Sequence, residues 1–428
     1  MSVPEEIADV VIVGGGAAGL ATAIFTRRHA PHLRVVCLDG ARRVGAKILV
    51  SGGSRCNVTN RVVTERDFWG GSARVVRSVL RAFPAPQAVA FFADLGVALH
   101  EEEDGKLFPD SNTAHTVLDA LLEQMRRVGA ELHCGECVTD VVREADGFVV
   151  TSSRRRYRAR AVVLATGGRS LPKTGSDGRG YELAARLGHG YVDTTPALAP
   201  LLLAGDRHTA LSGISHPARL TIQVSGDRPT HLEGSLLWTH FGASGPVVLN
   251  ASRHWHRARL EGRPVEVLLN LCPGETFESL EAWLREQESL RPRALVATVL
   301  ATRLPAAVAD AWTRELDLAD TTMAHVSRES RRRLIRALLA SPLEVRDSRG
   351  YNVGEATAGG IPLEEIDPAR MESRRSAGLY LVGEMLDVDG RLGGFNFQWA
   401  WSSAWVAGRA IARALSDSGV NARPAGNA

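Results

Sequence analysis

A chain of 428 residues, 44% hydrophobic and 23% charged, can bury a large core and has the length for two or three domains. Its 51 basic and 48 acidic residues leave a formal net charge of only +3, which argues against nucleic acid or membrane as the main partner. Five cysteines, an odd number in a long chain, suggest reduced thiols and a cytoplasmic setting.

The first element is "DVVIV" (9–13), a continuous apolar run of the kind found in a strand covered on both faces. The stretch "VVIVGGGAAGLATAIF" (10–25) imitates a signal segment. However, Glu5, Glu6 and Asp9 precede it where a basic region belongs, and it is too short and glycine-rich for a membrane span. It reads as a strand, a glycine turn and a helix from Ala17 to about Arg28, with "RVVCLD" (34–39) as the next strand. Such a βαβ unit implies an α/β fold with a parallel sheet.

Residues 75–129 read as helices broken at "FPAPQ" and "KLFPDSNTA", and "ELHCGECVTDVV", "GFVVTSS" and "RARAVVLAT" read as strands. Near "TTPALAPLLL" the texture changes to short alternating strands such as "RLTIQVSG" and "PVEVLLNLC", and then to helical periodicity in "SLEAWLREQ", "ALVATVLATRL" and "SRRRLIRALLA". Buried-strand style returns in "GLYLVGE", and a long helix follows. The expected organisation is a nucleotide domain over 1–197 and 343–428, interrupted by a β module (198–274) and a helical module (275–342). No internal repeat is visible, and the last dozen residues look disordered.

Gly14, Gly16 and Gly19 form G-x-G-x-x-G between strand and helix, where a pyrophosphate can approach the helix amino terminus. Asp39 ends the second strand twenty residues after Gly19, where a carboxylate can bind both ribose hydroxyls. This fingerprint does not separate FAD from NAD. Two later segments favour FAD: the strand and small-residue turn "AVVLATGG" (161–168), and the strand, acidic turn, glycine turn and helix of residues 378–411. In FAD proteins of the glutathione-reductase type, the acid after such a strand holds the ribityl chain, and the next helix points its positive end at the flavin pyrimidine.

Together, "GGGAAGLATAI", "KILVSGGSRCNVTN", "ATGGRSLPKTGSDGRGYELAARLGH", "THFGASGPVVL" and "GEMLDVDGRLGGFNFQWAWSS" resemble the HI0933-like flavoproteins, also called the aminoacetone oxidase or BaiN-like family, from about residue 8 to 412. The resemblance implies a Rossmann-type, glutathione-reductase-like domain with non-covalent FAD and inserted β and helical modules. The residues implied at the cofactor are Gly14, Gly16, Ala17, Ala18, Gly19, Asp39, Gly45, Lys47, Gly53, Arg55, Cys56, Asn57, Val138, Thr166, Gly167, Gly383, Glu384, Asp389, Gly394, Phe395 and Asn396. Val138 is where it places a backbone contact to adenine. Asp39 stands where the family usually has glutamate, Ser54 where the loop has a third glycine, and Ala404 where the last helix has glycine.

Cys56 lacks a partner at C-x4-C spacing, so it reads as a small packed residue beside the flavin and not as half of a redox dithiol. Lys47 and Arg55 are placed to offset negative charge on flavin or phosphate, and Asn57 to donate hydrogen bonds. "CGEC" (134–137) sits on a strand without the helix that lowers a thiol pKa, and reads as structural. "GSDGRG" (175–180) lacks a preceding strand and reads as a helix-capping turn. His254 and His256 have no third ligand in view, so no metal is expected. The basic runs "SRRRYRAR" and "SRESRRRLIR" read as a solvated hairpin and helix face. His240, in "THFGASGP", is the candidate polar group facing the flavin from the β module.

Three functions compete. The favoured one is hydride transfer through flavin N5 from NAD(P)H to an activated double bond, since one branch of the family is associated with bile-acid enone reduction. The second is a peroxide-forming oxidase of a small amine, as the aminoacetone name implies. The third is an RNA-binding or RNA-modifying flavoprotein, disfavoured by the near-neutral charge. No second dinucleotide domain is visible, so NAD(P)H would visit the flavin transiently.

Overall fold

The computed structural model describes residues 4–420. They fall into two compact units, one built from the chain up to Thr194 and again from Glu355, the other from Thr195–Gly354. Most of the last dozen residues, expected to be disordered, lie outside the described part; residues 417–420 continue the final helix.

The first unit is a Rossmann-type α/β fold. It opens with β1 (Glu5–Val13), α1 (Ala17–His29) and β2 (Val35–Asp39). β1 lies between β2 and the strand Arg156–Leu164, and both pairings are parallel. Glu131–Cys134 extends the parallel sheet beyond β2, and Leu379–Leu381 extends it beyond Arg156–Leu164. The register sets Val13 beside both Leu38 and Leu164, so three strands end together and the turns after them converge.

The β-branched runs explain the strands. Val10, Val11, Ile12, Val35, Val36, Val162 and Val163 are fully buried, and each such side chain stabilises the sheet by about 1.5–3 kcal/mol. One side of α1 is covered by the final helix, Phe395–Val420. There, a Cβ added at Gly408 would lie 2.8 Å from the Phe25 Cβ and 2.9 Å from the Thr26 nitrogen.

Residues 73–127 hold the helices Ala73–Ala82, Ala85–Asp94 and Ala114–Arg127. A small hairpin, Leu99–Glu101 with Lys106–Pro109, falls where the sequence suggested only a helix break. Its strands are too short to show an alternating pattern. "SRRRYRAR" forms the turn into Arg156–Leu164, where that strand pairs antiparallel with Gly147–Ser152.

The second unit is a seven-stranded sheet with antiparallel pairings, backed by helices. The boundary expected at 275 separates sequence textures but not cores: Leu220, Trp238 and Leu269 from the strands share one apolar cluster with Leu280, Trp312, Leu334 and Leu338 from the helices. The boundary expected at 343 moves to Gly354, because Val345–Ser348 pairs with Leu201–Leu203 at the sheet edge. Helix Pro246–Leu260 was not foreseen in the β module. Proline at its first position suits a helix start, and Val247, Val248, Ala251, Trp255 and Ala258 recur at helical spacing and are buried. Among the described residues, no helix is long and apolar enough to cross a membrane.

Candidate cofactor site

The sheet edge where β1, β2 and Arg156–Leu164 end collects most of the expected cofactor residues. The Gly14 N–H donates to Leu38 O at 2.8 Å and the Ala165 N–H to Val13 O at 2.9 Å, which ties the three turns together. A Cβ at Gly19 would lie 1.8 Å from the Gly14 carbonyl oxygen, so only glycine lets α1 start this close to the turn. Gly16, the N-cap of α1, points the other way: a Cβ there would meet nothing within 4 Å. Ala17 and Ala18 open the helix beside it, and their N–H groups have no acceptor within the helix. This is the cradle a pyrophosphate requires.

Asp39 joins the turn to β2. Its Oδ2 accepts the Gly15 N–H at 2.7 Å and its Oδ1 the Ala41 N–H at 2.8 Å. A carboxylate has about four acceptor positions, so each oxygen keeps one for a ribose hydroxyl. The following chain returns to the same place: Glu136 N–H donates to Asp39 O at 2.8 Å, and Gly135 N–H to Ala41 O at 2.8 Å. Val138 opens the next strand two residues later and is buried.

Thr166 and Gly167 form the turn after Arg156–Leu164. Thr166 Oγ1 is buried without a hydrogen-bond partner, and Ser176 Oγ beside Gly167 is in the same position. Unsatisfied buried hydroxyls are rare because each costs about 1–3 kcal/mol. Here they lie beside the glycine turn, where a bound cofactor would supply partners. Gly178 caps the helix Arg179–Arg186, with Asp177 Oδ1 accepting the Arg179 N–H at 3.1 Å, so "GSDGRG" is a capping turn.

The segment "AKILVSGGS" forms α2 (Ala46–Ser54), with Gly45 as its N-cap and a kink over Ser51–Gly53. Gly53 faces open space. Lys47 Nζ contacts Glu384 Oε2 at 2.5 Å, and Glu384 Oε1 accepts the Thr357 N–H at 2.9 Å. Gly383 packs against α1, where an added Cβ would lie 2.8 Å from the Ala18 Cβ. Glu384 is thus held next to the glycine turn by a cation and a backbone donor.

Arg55 has partners that the sequence did not suggest. Its guanidinium binds both oxygens of Glu102, at 2.5 and 3.1 Å, and lies 4.1 Å over the Phe108 ring. The hairpin missed in the sequence captures this cation through charge and ring face. Cys56 is fully buried, and burial pushes its thiol up to about 12. It is the wrong state for a nucleophile at neutral pH. Asn57 contributes a buried Oδ1 without a partner, which a Cβ at Gly394 would approach to 2.8 Å.

That oxygen lies at the amino end of the last helix. Gly394 precedes it, and the N–H groups of Phe395 and Asn396 belong to its open first turn. The Asn396 side chain is spent on Gly390, accepting its N–H at 2.8 Å and donating to its carbonyl at 3.0 Å. Phe395 is buried edge-on to Phe68, with ring centroids 6.2 Å apart. Asp389 is buried on the short strand Val388–Gly390, opposite Trp69. These residues fit FAD: a glycine cradle, a ribose acid, orphaned polar atoms and a positive helix end converge on one edge.

Sequence reasoning missed Thr357 and Glu355. Thr357 Oγ1 accepts the N–H groups of Arg169 and Ser170 at 2.9 and 3.0 Å, while its own N–H holds Glu384. Glu355 lies near enough to Lys47 to feel its charge; surrounding protein raises the Glu355 carboxyl above its ordinary range and Lys47 opposes that rise. The acid-plus-small-residue run "GEATAGG" was the available signal.

His240 lies in the second unit, exposed at the tip between Thr230–Thr239 and Gly242–Ser244, with its ring edge-on to Phe241 at 5.1 Å. His254 and His256 are neutral, pushed down to about 3 and about 4 chiefly by burial, and His256 Nε2 contacts Ser348 Oγ at 2.7 Å. Among the described residues no cluster of three or more metal-ligating side chains occurs.

Residues 8–410 match the family model described as the HI0933-like protein Rossmann domain. The chain is 31% identical over 405 residues to the 3-dehydro-bile acid delta(4,6)-reductase of Clostridium scindens, covering 94% of this chain and 98% of that protein. It is 30% identical over 411 residues to the ribosomal RNA dihydrouridine synthase of Escherichia coli, covering 95% and 99%. Among solved structures, a variant of the E. coli quinol fumarate reductase FrdA shares the fold, with a TM-score of 0.51 at 17% identity, over 99% of this chain and 72% of that one.

Proposed function

The chain belongs to the HI0933-like family of FAD-dependent oxidoreductases, and from that premise we propose that it reduces a carbon–carbon double bond conjugated to a carbonyl, with NADH or NADPH as the transient reductant. The observation that carries this reading is a shared chemistry: the two end-to-end relatives bear names for reduction of a conjugated ketone and formation of dihydrouridine, whose parent double bond is conjugated to a ring carbonyl. The bound flavin would supply hydride at N5.

The chain's residues do the rest. Asp39 and Glu384 hold the ribose and ribityl hydroxyls. Lys47 holds the Glu384 side chain in place. The first-turn N–H groups of Phe395 and Asn396 would stabilise negative charge on a flavin bound at this helix end. The five free thiols suit a cytoplasmic enzyme.

A second reading takes the conjugated acceptor to be a uracil ring in RNA. It is favoured by the name of the E. coli relative. Steady-state consumption of NADH or NADPH under argon tests the reductase reading. It should depend on an added enone and yield a product two hydrogens heavier. No enone-dependent consumption under argon, with peroxide released in air on addition of a small amine, would replace it with the amine oxidase.

A further inference from the structure

Helix Arg328–Leu339 of the second unit divides its side chains cleanly. Leu334, Ile335 and Leu338 are buried in the core, and Arg331 turns to Glu288, Nη1 to Oε2 at 2.9 Å. Arg328, Arg332, Arg333 and Arg336 are exposed, and among the described residues none of the four forms an ion pair. Other arginines of the unit are matched with acids: Arg207 with Glu315, Arg219 with Glu233, Arg263 with Asp227, Arg285 with Glu281, Arg303 with Glu275. Acid is therefore plentiful in this unit, yet among the described residues none of it pairs with the exposed arginines of the helix, whose own lone acid is Glu329.

Spacing adds to the contrast. Arg328, Arg332 and Arg336 recur every four residues, so they form one row with steps of roughly 6 Å along the axis. Like charges at this spacing repel, a cost that a polyanion laid along the row removes. Arg291 and Arg293, also exposed, sit on a loop fixed beside the approach to the helix. There the Ala324 N–H donates to Pro292 O at 3.0 Å and the Met323 N–H to Ala294 O at 2.9 Å. The near-zero total charge concealed this concentration.

We propose that the face formed by Arg328, Arg332 and Arg336, flanked by Arg333, Arg291 and Arg293, binds the phosphate backbone of RNA; this rests on the reading of a uracil ring as acceptor. The large apolar residues of the helix face the core, so it has none to insert between lipids, and a membrane surface is the poorer match. Phosphate contacts position a substrate without reading its sequence, as an enzyme that recognises its target base elsewhere requires.

The test uses the FAD-loaded full chain and a uridine-containing RNA stem-loop, with affinity followed over a salt series. Wild-type binding should weaken steeply with salt. The triple variant Arg328→Gln, Arg332→Gln, Arg336→Gln should bind at least tenfold more weakly at low salt. It should also lower the slope of log K against log salt by roughly 2–3, at about 0.7–0.9 per lost phosphate contact. A control removing three exposed charges of the first unit, Arg126→Gln, Arg127→Gln, Arg186→Gln, should leave the slope unchanged. Absence of wild-type binding at low salt, an equal loss in the control, or binding to phosphatidylserine vesicles in place of RNA would overturn the proposal. Flavin content and enone-dependent turnover are measured on the same preparations. Their retention while RNA binding fails separates the failure of this face from the failure of the reductase reading.

Discussion

The Asp39 carboxylate accepts the Gly15 N–H at 2.7 Å, which fixes the end of β2 to the glycine turn while leaving acceptor positions for ribose. Asp39 therefore shapes the cradle as well as lining it. Asp39→Ala should weaken FAD binding tenfold to a hundredfold, since losing a hydrogen bond to a charged group costs roughly 1.5–3 kcal/mol. Titration of apoprotein with FAD, followed by flavin fluorescence, measures this. An unchanged affinity would remove Asp39 from the site.

The Lys47–Glu384 pair gives a second test. Both side chains are partly buried, so removing one partner strands the other. Lys47→Met should reduce FAD retention, and adding Glu384→Gln should cost less than the sum of the two single changes. Strict additivity in this cycle would mean that the pair does not act as a unit.

Cys56 should be dispensable for chemistry. Its thiol is buried and pushed up to about 12. Cys56→Ser should keep a reducible flavin and most of the turnover, and native protein should resist thiol alkylation at this position. Complete loss of turnover with FAD content intact would contradict the assignment.

How far this was legible in sequence differed by region. The first βαβ unit declared itself because Val10–Val13 and Val35–Leu38 are continuous apolar runs around a glycine turn, a pattern that local sterics alone explain. The strand Leu379–Leu381 was legible for the same reason. The pairing of Arg55 was not legible because its partner Glu102 lies 47 residues away on a hairpin too short to show periodicity. Helix Pro246–Leu260 was hidden among polar residues in "NASRHWHR", and its apolar stripe became meaningful only against the sheet it covers. Thr357 works through its backbone and one hydroxyl, which no pattern of side-chain types reveals.

Acid should destabilise the second unit through its helix Pro246–Leu260. His256 is held at about 4 and His254 at about 3, both below the ordinary histidine value near 6.5, mainly by burial. The unfolded chain binds more protons between pH 6.5 and 4, so stability present above pH 6.5 is lost as pH falls through that window. The loss is at most about 1.4 kcal/mol per pH unit for each histidine. Melting temperature from pH 7 to 5 should fall less steeply in His256→Gln than in wild type. Parallel pH profiles would show that His256 titrates normally.

The central claim is that electrons leave this protein for a conjugated double bond. The most direct measurement reduces the bound flavin anaerobically and mixes it, in separate shots, with an enone and with oxygen, following the return of the yellow oxidised form. The account expects reoxidation by the enone in a single turnover, with one equivalent of saturated product. Reoxidation by oxygen alone, with stoichiometric peroxide and no response to any enone, would contradict it.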